Sequence, residues 1–547
     1  MWYKTEANTA SEYAGKILYD HGLTPIYVSD NPVLNAQHVL FEAAKGYRYG
    51  LPYHAALASV TTAPAERLGF GKRLGKIKHG FDADVVVWDS DPLSVGASPV
   101  QVWIDGTAQF KDPVELEKPP VELIKPDESL QNIPEGLVEM DEVVFTGLSK
   151  VLLADDVKDL TSNNTVIMKN GRVTCIGSCE SELHAASKSN TPIINLNNGY
   201  LTESFTAFGS KLGLNAIDAE DDTDNGPSGT AFTRAEDGLA LDTQKTNVAF
   251  SYGVTKAVSA PKLNDRSTHH GISVGFSTGA KTPLDKHAVF FPDVGVHYTL
   301  DLDAKSNSAS SISSAISTLR TKLLSAASPS SSSNSNTTES NPFSEPSYLH
   351  LVLNGTLPLV ITVHSADTIA AVLKLKTTVE AFFPGKTNIR LVLFGAAEAH
   401  LLSKELAAAN VGVVLAPIFS YAKDWDQRRA LSGAPLTNGT GVDRLLDAGV
   451  LVGIGLEEDW VVRDLGLLAG WVWQNGEGRV ESERRALELV GGNLWKMLGV
   501  KVRGEDTGAR EPRWREGHFV VWEGSPLGIG GRVKAVGGGG ERVSVWG

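Results

Sequence analysis

The sequence predicts an α/β protein built on a parallel sheet covered by helices, and three observations carry that reading. Strand-like runs alternate with helical ones along much of the chain. The runs PLVITVHS, IRLVLFGA, VGVVLAP and VLVGIGLE are apolar throughout, as strands buried on both faces must be. The pieces between such runs, ADTIAAVLKLKTTVEAFF and EAHLLSKELAAAN among them, combine a helical apolar period with strong helix formers. Strands and helices in alternation pack as a sheet between helical layers.

At 547 residues the chain has room for roughly two to four ordinary domains, or for one large α/β barrel with attachments. Its formal charge of −14, with no basic run, argues against nucleic acid and anionic membrane as partners, because their phosphates would be repelled. No apolar run approaches the ~18 residues of a membrane span, and the first residues lack a signal-peptide pattern. Compartment stays open, since the sequons at Asn163, Asn336, Asn354 and Asn438 would matter only in a secreted chain. Cys175 and Cys179, four apart and alone, are expected as small half-buried residues near a strand and not as a disulfide framework.

The elements follow in order. Residues 10–21 have helical spacing through Tyr13, Ile17 and Leu18, and Gly22 stops them. LTPIYVSD, 23–30, reads as a short buried strand ending in Ser29-Asp30, followed by helices over about 32–49 and 53–62. RLGKIKHGFDADVVVWDSDP switches to period two, with strands on either side of turn signals at Gly80 and Asp82. Residues 113–135, rich in Pro, Glu and Lys, read as a linker. Three β-like runs follow, VVFTGLSKVLLAD, NTVIMKNGRVTCIG and TPIINLNN, the second folded into a hairpin at Lys169-Asn170-Gly171. Further strands are expected at 200–208, 253–261 and 271–279. The Ser-rich stretch 303–347 has too little apolar content to order itself and is expected as a disordered insertion. Gly537 to Gly540 are expected as a hairpin turn, and the adjacent His269 and His270 would point to opposite faces of a strand, unable to chelate one ion.

One pattern sets the domain organisation. VVVWDSDPLSVG, Val85 to Gly96, returns as FVVWEGSPLGIG, Phe519 to Gly530, so that Trp88 and Trp522 stand 434 positions apart. Solenoid repeats run to about 20–50 residues, so this period means two copies of a large domain, the first with room only for its end.

The run ALASVTTAPAERLGFGKRLGKIKHGFDADVVVWDSDPL resembles the C-terminal signature of the amidohydrolase superfamily, with its Gly-x-x-Ala-Asp turn at Gly80 to Asp84. NTVIMKNGRVTCIG with IINLNNGYLTESFTAFGSKLG is similar to the N-terminal half of the same fold. The resemblance is to double-unit, imidazolonepropionase-like amidohydrolases of the carbohydrate esterase family nine type. It implies a (β/α)8 TIM-like barrel with a small composite β-sandwich, preceded by the C-terminal remnant of a second such unit. The implied division is 1–110 for a truncated first unit, 111–141 linker, 142–199 sandwich, 200–510 barrel with the insertion at 303–347, and 511–547 sandwich return.

The resemblance also implies one or two divalent metals, zinc first among them, held by a His-x-His pair on strand one, a His each on strands five and six, and an Asp on strand eight. Such ligands leave positions open for a water whose pKa the metal lowers to about 7. No two of the thirteen histidines are separated by two, and Thr206 to Ser210 stand where the pair belongs. His364 and His400 match the strand-five and strand-six ligands; Asp459, with Glu457 and Glu458 as neighbours, matches the strand-eight carboxylate as both ligand and base. Asp30 matches the strand-eight carboxylate of the first unit, and its partners would come from strands outside this chain. The expected activity is hydrolysis of non-peptide carbon–nitrogen bonds in a small-molecule substrate by metal-activated water, with an incomplete metal site. The alternative is a catalytically inactive barrel that supports or regulates a complete first unit. The apolar strand at 24–29 would leave an edge open to self-association.

Overall fold

The computed structural model describes residues 4–119, 124, 136–153, 156–158, 164–220, 232–263, 268–306, 311–327, 341–500 and 517–546. The sequons Asn163 and Asn336, residues 307–310 and 328–340 of the insertion, and 120–123 and 125–135 of the linker lie outside them. No described helix is long and apolar enough to cross a membrane.

The apolar runs form a curled sheet. Val296–Thr299, Leu359–Val363, Leu391–Gly395, Gly412–Leu415 and Val452–Ile454, strands four to eight, pair in parallel, each with the next, and Phe205–Phe208, strand one, pairs in parallel with Val254–Ser259, strand two. The Leu456 N–H donates to the Phe208 carbonyl at 2.8 Å, which brings the strand-eight position against strand one. Helix Ala366–Phe382 covers the outside through Ile369, Val372, Leu375 and Val379, spaced by three and four as a helical face requires. Inside, Phe208, Val258, Val360, Val392, Phe394 and Val414 pack in layers. Trp495 packs with them, its Nε1 donating to Thr206 Oγ1 at 2.9 Å.

The expected uninterrupted parallel barrel is broken at strand three. Val274–Ser277 pairs antiparallel with Val254–Ser259, and Gly271–Ile272 antiparallel with Val296–Thr299. A parallel return needs a crossover of about a dozen residues or more, usually helical, and residues 260–270 are too few.

The sequence 136–203 and the C-terminal residues build a nine-stranded sheet in which His518–Glu523 pairs with Ile193–Glu203, the strand that leads into Phe205–Phe208. The hairpin turn forms as expected, with Asn170 (φ 51°) and Gly171 (φ 69°) both left-handed. Gly537 and Gly538 close the strand Arg532–Gly538, which pairs with Val543–Trp546 across the expected turn.

The two cassettes follow similar backbone settings. Helices Tyr53–Ala58 and Thr62–Arg67 match Glu483–Glu488 and Gly492–Met497 in length and spacing. The residues that open the second helix of each pair share a rare backbone, Thr61 at φ −131°, ψ −86° and Gly491 at φ −151°, ψ −100°. Both cassettes then enter hairpins with an irregularity at the same step, Val87/Trp88 and Val521/Trp522. Residues near the two cassettes also contact each other. Arg48, ending helix Val39–Arg48, donates to the carbonyls of Gly528 and Ile529 at 3.3 and 3.1 Å. Reciprocally, Gly96 of the first cassette lies so close to Gln474 that a Cβ would meet it at 2.6 Å.

Four expectations fail. Residues 23–30 form no strand: Leu23 and Val28 are 56% and 70% exposed, because no described strand offers them a ladder. RLGKIKH ahead of Gly80 is likewise not a strand, and Ile77 is exposed. Within the Ser-rich stretch, Ile312–Ala327 is a helix with Ile316, Leu319 and Leu323 buried. Cys175 and Cys179 form a disulfide, their Cα atoms 6.1 Å apart. Linker residues 113–119 run against the barrel side, the Val114 N–H donating to the Pro435 carbonyl at 3.1 Å.

Candidate functional site

The mouth of the barrel, at the C-terminal ends of its strands, is where this fold places chemistry. At the end of strand one, Phe208 and Ser210 stand two apart, as a His-x-His pair would. Phe208 is buried, its ring 5.8 Å from that of Phe394 on strand six and 6.2 Å from that of His297. Ser210 is buried too, its Oγ accepting the Leu212 N–H at 3.2 Å.

His364 follows strand five directly and is half-buried beside Gly395, where a Cβ would come within 2.6 Å of its ring. His400 lies in the single turn Ala399–Leu402, its imidazole pushed below the usual histidine range by burial. Glu398, beside it in sequence, is fully buried and committed elsewhere: Arg429 donates to it through Nη2 at 2.6 Å and Nε at 3.0 Å, and the Ala366 N–H at 2.9 Å. Asp459 is 4% exposed and bonded to Lys245 at 2.7 Å. Lys245 also donates to Asp218 at 2.8 Å and to Asn215 at 3.0 Å. Glu457 pairs with Lys423 at 3.4 Å, and burial pushes the Glu458 carboxyl up. Asp30 is exposed on the extended N-terminal segment in a left-handed conformation, φ 51°.

Among the described residues, no three His, Cys, Asp or Glu side chains are grouped as a metal centre would need. The donor set does not fit the divalent ion that the fold implies. An aromatic ring and a short hydroxyl take the strand-one positions, and a lysine ammonium already neutralises Asp459.

Sequence reasoning missed the groups that occupy the mouth instead. His269 faces inward, its Nε2 2.8 Å from the Gly209 carbonyl, while His270 turns to Glu345, opposite faces as expected. Burial pushes His269 far down and His297 to about 3, so both are neutral, hydrogen-bonded core groups. Asp424 and Asp426 lie in the loop after strand seven, where burial, then Asp426, raises Asp424 to about 6. The Asp-x-Asp spacing in KDWDQR was the available signal for that pair; Lys245 carried none, because its partners come from distant loops.

The barrel curvature, the mouth and the duplicated cassette define an amidohydrolase-like architecture, and comparison with known proteins agrees. Residues 29–108 match the amidohydrolase family. The chain is 49% identical over 553 residues to the amidohydrolase tasK of Hapsidospora irregularis, covering 95% of this chain and 56% of that protein. It thus spans little more than half the length of this curated relative. An amidohydrolase from Thermotoga maritima MSB8 shares the fold, with a TM-score of 0.54 at 17% identity, over 73% of this chain and 99% of that one. The chain thus carries an amidohydrolase-family domain and is homologous to a protein named as an amidohydrolase; members of that superfamily are typically metal-dependent.

Proposed function

We propose that this barrel no longer performs metal-dependent hydrolysis and serves as the structural partner of a complete first amidohydrolase unit, of which residues 1–110 would be the end. The observation that carries the reading is the Phe208–Phe394 contact, which fills with apolar rings the place where strand-one imidazoles would converge. A barrel survives such a loss because apolar layers, not metal, hold it together. An unpaired edge on the first cassette hairpin supports a partner there. Strand Val85–Trp88 has one described neighbour, Pro99–Ile104, and Val86 and Val87 are exposed, whereas its duplicate His518–Glu523 is paired on both sides. On this reading, a composite sandwich would be completed there by the partner, and hydrolysis of non-peptide carbon–nitrogen bonds belongs to the completed unit.

The test is elemental mass spectrometry of the purified chain after dialysis against trace zinc. Metal at background is expected, unchanged in His364→Ala and Asp459→Ala. About one zinc per chain, lost in either variant, would overturn the proposal and restore His364, His400 and Asp459 as ligands of a working hydrolase. Co-expression with the part of the tasK-type protein that this chain does not cover is expected to yield a co-purifying complex; two species that never associate would remove the partner role.

A further inference from the structure

The barrel mouth holds two opposite charges that the Lys245 network leaves out. Lys262 stands on the short strand Lys262–Leu263, directly opposite His269 of its antiparallel partner, so the two side chains share a face. His269 is the inward-facing imidazole whose Nε2 lies 2.8 Å from the Gly209 carbonyl. Strand eight passes on the other side of Gly209, where an added Cβ would come within 3.2 Å of the Leu456 carbonyl oxygen. Glu458 follows Leu456 by two residues. Gly209 therefore stands between Lys262 and Glu458 at the end of strand one.

Ammonium and carboxylate groups meet here in equal number, Lys211, Lys245 and Lys262 with Asp218, Asp459 and Glu458. Lys245 takes Asp218 and Asp459 by hydrogen bonds to both, and Lys211 has interactions of its own. Glu458 is the carboxylate left for Lys262, whose charge opposes the upward push of burial on the Glu458 carboxyl. Yet the two do not touch. Among the described residues, Lys262 makes no hydrogen bond or ion pair through its ammonium, and Glu458 makes none through its carboxylate. Lys262 is 8% exposed and Glu458 half-buried. A charge so far withdrawn from water is costly unless something pairs with it. Neither head group is among the sealed polar atoms that lack a partner, so both reach open space in the mouth. A ligand with one charge would answer one of these groups and be repelled by the other. A ligand carrying both charges answers each, through charge-assisted hydrogen bonds that replace those it gives up to water.

We infer that the barrel mouth binds a small zwitterion, its carboxylate on Lys262 and its ammonium on Glu458. The inference goes beyond the structural-partner reading, and the two are tested apart: zinc content decides that reading, and ligand titration decides this one. Titration of glycine, β-alanine and 4-aminobutyrate into the full chain, followed by calorimetry, is expected to show at least one of them saturating at one molecule per chain. Acetate and ethylamine, each with one of the two charges, are expected to bind at least about tenfold more weakly than that zwitterion. Lys262→Met and Glu458→Gln, each shown to be folded by circular dichroism, are expected to weaken the zwitterion by about tenfold or more. No saturable binding of any zwitterion at millimolar concentration, equal affinity for a single-charge probe, or unchanged affinity in both folded variants would overturn the inference. Should either variant not fold, the comparison of zwitterions with single-charge probes on the unmodified chain decides alone.

Discussion

The Lys245 ammonium lies 2.7 Å from Asp459 Oδ2, with the lysine side chain 0% and the aspartate 4% exposed. Asp218 and Asn215 take its remaining hydrogens, so all three donors of the ammonium are used. Burial alone would push the lysine pKa down, but the two carboxylates outweigh it and hold the group above its usual range. A fixed internal cation thus neutralises the acid that the superfamily pattern would give to a metal.

Removing one member of such a pair strands the other charge. Lys245→Met is expected to cost about 3–5 kcal/mol in urea unfolding, and Lys245→Met with Asp459→Leu to recover part of it, because the deeply buried charge is then gone and the one carboxylate left without its lysine is Asp218, 20% exposed. A single-variant loss below about 1 kcal/mol would show that water reaches Asp459 in solution.

The barrel floor gives a second prediction. Trp495 Nε1 donates to Thr206 Oγ1 in a fully buried contact. Thr206→Val keeps the volume and leaves the indole hydrogen without an acceptor, so a loss of about 1–3 kcal/mol is expected in denaturant unfolding. No loss would mean that the indole finds another acceptor.

The buried imidazoles set an acid limit. Burial lowers His38 to about 4 and His297 to about 3, so the unfolded chain, titrating near 6.5, takes up these protons first. Stability is therefore full above about pH 6.5 and falls as pH drops through 4 towards 3. His38→Phe, which preserves stacking on Phe41, is expected to make the stability profile between pH 6.5 and 4 shallower by up to about 1.4 kcal/mol per pH unit. An unchanged slope in urea titrations across that range would refute the assignment to His38.

Legibility followed the physical source of each feature. Strands such as Leu359–Val363 and Leu391–Gly395 were readable because burial on both faces leaves an apolar run. The cassette repeat was readable because two copies can be compared within one chain. The segment 23–30 misled because an apolar run makes a strand only where a ladder is offered, and no described strand pairs with it. Lys245 was illegible, since a buried ammonium looks like any helix lysine until Asp218 and Asp459 are placed around it. The reversal at Gly271 was readable in principle from the short connection before it.

The helix inside the Ser-rich stretch shows where composition and pattern part company. ISSAISTLRTKLLSAA is mostly small and polar, yet Ile316, Leu319 and Leu323 recur at helical spacing and are 6%, 3% and 1% exposed. Lys322 on the same helix bonds to Glu345 at 2.7 Å, and Glu345 in turn accepts from Tyr298 of strand four. The helix is therefore part of the barrel wall. Leu319→Ala is expected to cost about 2–5 kcal/mol, while Ser317→Ala on the exposed side should stay within about 0.5 kcal/mol of the parent. Both are measured by urea unfolding. Two equally neutral substitutions would mean that the helix does not share the cooperative core, and that composition was the better guide to this stretch.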